Sequence, residues 1–134
     1  MKAYLSRRYR FSASHRLHCD SYSPEQNRTV YGKCNHPHGH GHNYIVEVMM
    51  SGAVDPVTGM VCNLGDLDRF MQREILGRFD ETNLNLDAGF QALVPTTENL
   101  CVEIYNVVNS GFSHAKLEKV RVEETSNNSF EYAG

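Results

Sequence analysis

The stretch HGHNYIVEVMM, residues 40–50, decides the fold. Along it His40, His42, Tyr44, Val46, Val48 and Met50 share one parity, while Asn43 and Glu47 take the other. Side chains two apart on a strand point to the same face, so the alternation predicts a strand over 40–52 with one face on a core. The same parity places two imidazoles at the start of that strand, on its inward face. DPVTG, 55–59, reads as the turn that ends it.

Working outward, residues 3–15 alternate in the same way. Leu5, Tyr9, Phe11, Ala13 and His15 fall on one parity, and Arg8, Arg10, Ser12 and Ser14 on the other. Residues 16–39 are dense in turn formers and are expected to be one long loop, a length that compact domains usually reserve for function. Downstream, Asn63 is a candidate N-cap with Asp66 three residues on, and Leu67, Phe70, Met71 and Ile75 form an apolar stripe. A helix over 65–79 follows. Residues 80–95 look like loop. A second helix starts near Thr97, capped by Thr96 or Thr97, carries Leu100, Cys101, Ile104, Val107 and Val108, and ends at Gly111. Strands are expected over 116–125, with Val120, Val122 and Glu124 on one parity, and over 130–133 after a turn. The order β-β-α-α-β-β predicts an α+β fold, a four-stranded antiparallel sheet with two helices on one face. Its open strand edges predict oligomerisation.

Composition narrows the class. The chain has 134 residues and 15.2 kDa, expected to form a single domain over 1–134. With 40% hydrophobic and 22% charged residues it has the makings of a packed core, not of a disordered segment. A net charge of −3 argues against an extended nucleic-acid or anionic-membrane surface. No apolar run reaches the ~18 to 20 residues that span a bilayer. MKAYLSRRYRF at the start lacks a signal-peptide pattern, and Cys19, Cys34, Cys62 and Cys101 form no CxxC pair, so a cytoplasmic protein with reduced thiols is expected. Cys62 and Cys101 read as small buried hydrophobes.

Histidine is the outlier: of seven, six stand in the first 42 residues. His40 and His42 can reach one ion from a single strand face, and an antiparallel first strand would bring His15 beside them. Three histidines with an open position suit a catalytic zinc site; polar-loop or satisfied core histidines are the alternative. His18, His36 and His38 read as bystanders, and His114 as a surface residue. Cys34, among Lys33 and several histidines, is either an activated thiol or an unreactive loop residue. Glu124 continues an apolar face, so its carboxylate needs a partner. That partner is the planar N–H edge of a heterocycle or a structural salt bridge.

FSASHRL (11–17), GKCNHPHGHGHNY (32–44), DPVTGMVCNLGDL (55–67), NLN (83–85), TTEN (96–99) and EETSNN (123–128) occur in order. Together they resemble the 6-pyruvoyltetrahydropterin synthase and 6-carboxytetrahydropterin synthase family over nearly the whole chain. The resemblance implies the tunnelling (T) fold, with three subunits closing a β-barrel and two barrels stacking as a homohexamer, a dimer of trimers. It implies that His15, His40 and His42 bind zinc, that Cys34 is the catalytic base with Asp80 in its relay, and that Glu124 anchors the pterin, with Thr97 and Glu98 lining the pocket. The implied activity is a lyase eliminating triphosphate from 7,8-dihydroneopterin triphosphate, in tetrahydrobiopterin biosynthesis. The alternatives are the carboxy enzyme of the queuosine and deazapurine pathway and a non-catalytic pterin-binding protein. The Cys34-x5-His40-Gly41-His42 spacing resembles the pyruvoyl group. One departure stands out: the family's relay carries Asp-His where this chain has Asp80-Glu81. Either Glu81 is an altered acid/base, or His36 or His38 substitutes, or turnover is impaired.

Overall fold

Two 14-residue strands, β1 (Lys2–His15) and β2 (His40–Ala53), form the centre of the sheet. The computed structural model describes residues 2–134. β1 and β2 run antiparallel in unbroken register, from Lys2 opposite Ala53 to His15 opposite His40. One buried face enforces that register. A slip by one residue would turn Phe11, Ala13 and His15 out of the core. β4 (Lys116–Thr125) pairs antiparallel with β2, and β5 (Asn128–Tyr132) with β4.

The expected four-stranded sheet gains a fifth member. β3 (Thr82–Asn83) lies parallel to β1 at Ala13 and Ser14, so the order is β3-β1-β2-β4-β5. Two residues carry no readable alternation, which is why 80–95 looked like loop alone. The same segment also holds short 3-10 turns at Leu84–Leu86 and Ala88–Phe90.

A larger correction falls on residues 16–39. Helix α1 (Pro24–Tyr31) and a 3-10 turn (Gly32–Asn35) occupy what was expected to be loop. Ser23 caps α1 by accepting from the Gln26 N–H, while the Gln26 side chain accepts from the Ser23 N–H. Asn27 fixes the helix to the chain before it. Its Oδ1 accepts from the Cys19 N–H at 2.7 Å and its Nδ2 donates to the Cys19 carbonyl at 3.0 Å.

The expected first helix is present but interrupted. α2 (Leu64–Met71) passes through a π turn (Gln72–Leu76) into α3 (Gly77–Phe79). Asn63 caps it, accepting from the Asp66 N–H at 3.1 Å. α4 (Thr97–Gly111) is capped by Thr96, which accepts from the Asn99 N–H at 3.1 Å. These helices cover the face of Val46, Val48, Met50, Val120 and Val122. Leu67, Met71, Ile75, Leu100, Ile104 and Val108 meet that face in one core cluster. Each such side chain contributes ~1.5–3 kcal/mol on burial, so the sheet's parity is strongly specified. Parity in turn sets the site, because His15, His40 and His42 end the same face. No helix of the described residues is long and apolar enough to cross a membrane.

Candidate metal centre

The end of the β1–β2 pair gathers the imidazoles. His15 faces His40 directly in the antiparallel register, and His42 is two residues along β2 on the same face. The ring centroids of His15 stand 4.8 Å from His40 and 5.1 Å from His42, and those of His40 and His42 4.6 Å apart. One donor atom from each, with one from Glu124, lie within 4.8 Å of one another. A group this tight could hold a metal ion.

The donor chemistry fits that reading. His15 is buried, and its Nδ1 donates to the Pro95 carbonyl at 2.8 Å. That bond leaves the His15 Nε2 lone pair aimed inward, 3.2 Å from His40 Nε2. Burial lowers the pKa of both rings and favours the neutral form that metals require. His42 Nε2 is buried without a hydrogen bond, although Glu124 Oε1 is 3.0 Å away, and His40 Nδ1 is likewise unpartnered. Buried ring nitrogens without hydrogen-bond partners are costly unless a cation takes them.

Glu124 completes the cluster. Its Oε1 is 3.5 Å from His15 Nε2, and its Oε2 accepts from Asn128 Nδ2 at 2.9 Å. The parity that turned it inward is thus reproduced, and its neighbours here are histidines. Cys34, in the 3-10 turn after α1, lines a cavity of about 1130 Å³ together with His40 and His42. Burial pushes its thiol pKa up, and Glu124 acts in the same direction. Leu17 donates its N–H to the Cys34 carbonyl at 2.7 Å, which ties the thiol to the end of β1.

The remaining candidates separate. Thr97 is buried at the start of α4 with an unpartnered Oγ1, whereas Glu98 is exposed. Asp80 and Glu81 stand at the β1–β3 edge, and neither lines the cavity that holds Cys34. There the Ser12 N–H donates to Asp80 Oδ1 at 2.9 Å, and the Glu81 N–H donates to the Ser12 carbonyl at 2.6 Å. Glu81 sits at φ +58°, the one non-glycine in the left-handed region among the described residues. It borders a second hollow of about 430 Å³ with Ser12, His42, Asn43 and Asn83, and His42 lines the Cys34 cavity as well. His36 and His38 are exposed, and His18 pairs with Asn35 and Asp20. Two contributors escaped the sequence reading. The Pro95 carbonyl is a backbone group brought in by tertiary contact, and the Tyr44 hydroxyl, 3.4 Å from His15 Nδ1, read only as core.

A sheet of this topology, with helices on one face and convergent histidines at one end, is the tunnelling fold in a form suited to a metal. A family model described as 6-pyruvoyl tetrahydropterin synthase matches residues 4–134. The chain is 46% identical to the 6-pyruvoyl tetrahydrobiopterin synthase of Homo sapiens, over 99% of this chain and 92% of that one. It is 42% identical to the Drosophila melanogaster protein of the same name, over 98% and 80%. The solved structure of Caenorhabditis elegans 6-pyruvoyl tetrahydropterin synthase superposes with a TM-score of 0.94 at 38% identity, covering 100% of this chain and 96% of that one. The chain belongs to the 6-pyruvoyl tetrahydropterin synthase family.

Proposed function

We propose that the chain is a zinc-dependent lyase that eliminates triphosphate from 7,8-dihydroneopterin triphosphate, acting in the cytoplasm as a homohexamer of two stacked trimers. The observation that carries this reading is the convergence of His15, His40 and His42 on one point, with His40 and His42 lining a cavity that also presents Cys34. His15, His40 and His42 would hold the ion. When bound, it supplies Lewis acidity to the substrate's side-chain hydroxyls and positive charge that favours the Cys34 thiolate.

This chain's residues account for the other requirements. Glu124 accepts the planar N–H edge of the pterin and orients it, with Asn128 steadying the carboxylate. Thr97, buried with an unpartnered Oγ1, would offer the substrate a further polar contact, and the exposed Glu98 beside it in the chain a second one. Cys34 removes a proton from the activated side-chain carbon, triphosphate departs, and tautomerisation gives the pyruvoyl side chain. Asp80 and Glu81, set at a sheet edge away from the Cys34 of their own chain, serve the cavity of a neighbouring subunit in the hexamer. Relatives carrying the pyruvoyl name match essentially the full chain, which favours that product over the carboxy one. Incubation with 7,8-dihydroneopterin triphosphate and mass analysis tests this. A pyruvoyl product with free triphosphate is expected, and acetaldehyde with a carboxylate product would overturn it.

Glu81 favours a second reading, a pterin-binding protein whose relay has decayed. Glu81→His separates the two. A loss of lyase activity shows that the glutamate works in its own right, whereas a large gain supports the decayed relay.

A further inference from the structure

Of the seven histidines, His18, His36, His38 and His114 stand outside the inner centre. His18 is engaged with Asn35 and Asp20, and His114 stands against Phe112 on the connection between α4 and β4. His36 and His38 differ, because both are exposed and they face each other with ring centroids 5.7 Å apart. The carboxylate pairs of histidine among the described residues belong to His15, His18 and His42, so neither ring is taken up that way. The inner rings stand 4.6 to 5.1 Å apart. A separation of 5.7 Å therefore still lets two imidazoles reach one small cation.

The local sequence builds the pair. In His36-Pro37-His38-Gly39, proline takes the second position of a turn and glycine the fourth, and the Gly39 N–H closes it on the His36 carbonyl at 2.8 Å. The His36 N–H donates to the Lys33 carbonyl at 3.3 Å, which ties the turn to the 3-10 segment before it. Pro37 fixes its own φ, so little is left to order when a ligand arrives. The His38 N–H reaches His36 Nδ1 at 3.3 Å, a long contact that an incoming ion can displace.

Position gives the pair its use. His36 lines the cavity that holds Cys34, His40 and His42, and His38 lines a hollow of about 250 Å³ that also borders His15. The inner donors lie deeper: His15 is buried, as are His40 Nδ1 and His42 Nε2. A hydrated cation has to shed water before it reaches them, and exposed imidazoles on the way replace that water stepwise. Two exposed ligands hold an ion more weakly than three convergent buried ones, so transfer runs inward.

We propose that His36 and His38 form a capture site for a divalent metal ion, which takes the ion from solution and passes it to His15, His40 and His42. This rests on the reading of those three as metal ligands, and not on the lyase reaction. An ion held at the pair meets the inner donors at an effective concentration on the order of millimolar, so the pair matters when free metal is scarce.

The test follows the loading of metal-stripped protein with cobalt(II) by stopped flow, reading the visible absorption of the ion at the inner histidines. At micromolar cobalt, the double change His36→Asn, His38→Asn should slow loading roughly tenfold, with the gap closing as cobalt becomes millimolar. Final stoichiometry and inner affinity should be unchanged, and His114→Asn should load like the wild type. Calorimetric titration with zinc(II) should show a second, weaker equivalent in the wild type that the double variant lacks. Both residues are exposed, so their replacement leaves the fold intact. Loading of the double variant at the wild-type rate, equal slowing in His114→Asn, or a weak equivalent that survives the double change would each overturn the capture site and leave the inner centre standing. A fall in inner affinity in the double variant would also overturn it, by making the pair part of the inner site. Wild-type protein that binds no cobalt tightly would sink the inner centre and the capture site together.

Discussion

At Gly39 the backbone comes so close to the end of β1 that a side chain has no room. A Cβ there would stand 2.8 Å from the His15 carbonyl oxygen and 3.2 Å from its carbon, and φ is +70°. Both neighbours are main chain, so neither can swing away. Gly39→Ala is therefore expected to cost about 1–3 kcal/mol and to displace His15 from His40 and His42. A fall in metal stoichiometry, read by elemental analysis alongside the melting curve, checks it. Glu124 supplies a second discriminating substitution. As the pterin anchor it can be changed to Gln with metal content intact and substrate affinity reduced, by roughly tenfold or more for one lost charged contact. Loss of the metal in Glu124→Gln would make the carboxylate a ligand instead.

Arg78, in α3, joins three elements. Its guanidinium donates to both carboxylate oxygens of Asp87, at 2.9 and 2.7 Å, and to Glu103 of α4 at 3.1 Å. Arg78→Ala is expected to destabilise the protein by about 1–2 kcal/mol, lowering Tm by several degrees in a thermal melt. The hydrogen bonds from Arg78 hold the Asp87 carboxyl below its ordinary range. The stability this contributes is complete above the unfolded carboxylate value, ~3.9, and is lost as pH falls through the lower folded value. Asp87→Asn should accordingly flatten the fall in Tm on the acid side of pH 4. None of this was legible in the sequence, because the partners are separated along the chain and meet only in the fold. Caps and parity were legible: Asn63 and Thr96 start their helices as read, and His15, His40 and His42 share a face because period two leaves no alternative. The α1 helix was missed although Ser23 and Gln26 spell a capping box. Its eight residues carry no apolar stripe, and Asn27, not a hydrophobic face, holds it in place. Cys34 could be flagged from its neighbours, but its place on the same cavity as the histidines depends on that missed segment.

For the molecule as a whole, β3 and β5 are the sheet's two edges, and each leaves backbone groups available for another strand. The proposed hexamer uses them. Light scattering should give six times the chain mass of 15.2 kDa, and a monomer that is fully active would remove the role given to Asp80 and Glu81 across a subunit boundary. The central claim joins a three-histidine centre to a thiol base, and those two parts can be separated in a single experiment. Metal content and triphosphate release from 7,8-dihydroneopterin triphosphate should be measured together in the wild type and in Cys34→Ala. The expected result is one metal per chain in both proteins, with triphosphate released by the wild type and almost none by the variant. Release by Cys34→Ala at the wild-type rate, or none from the metal-loaded wild type, would contradict it.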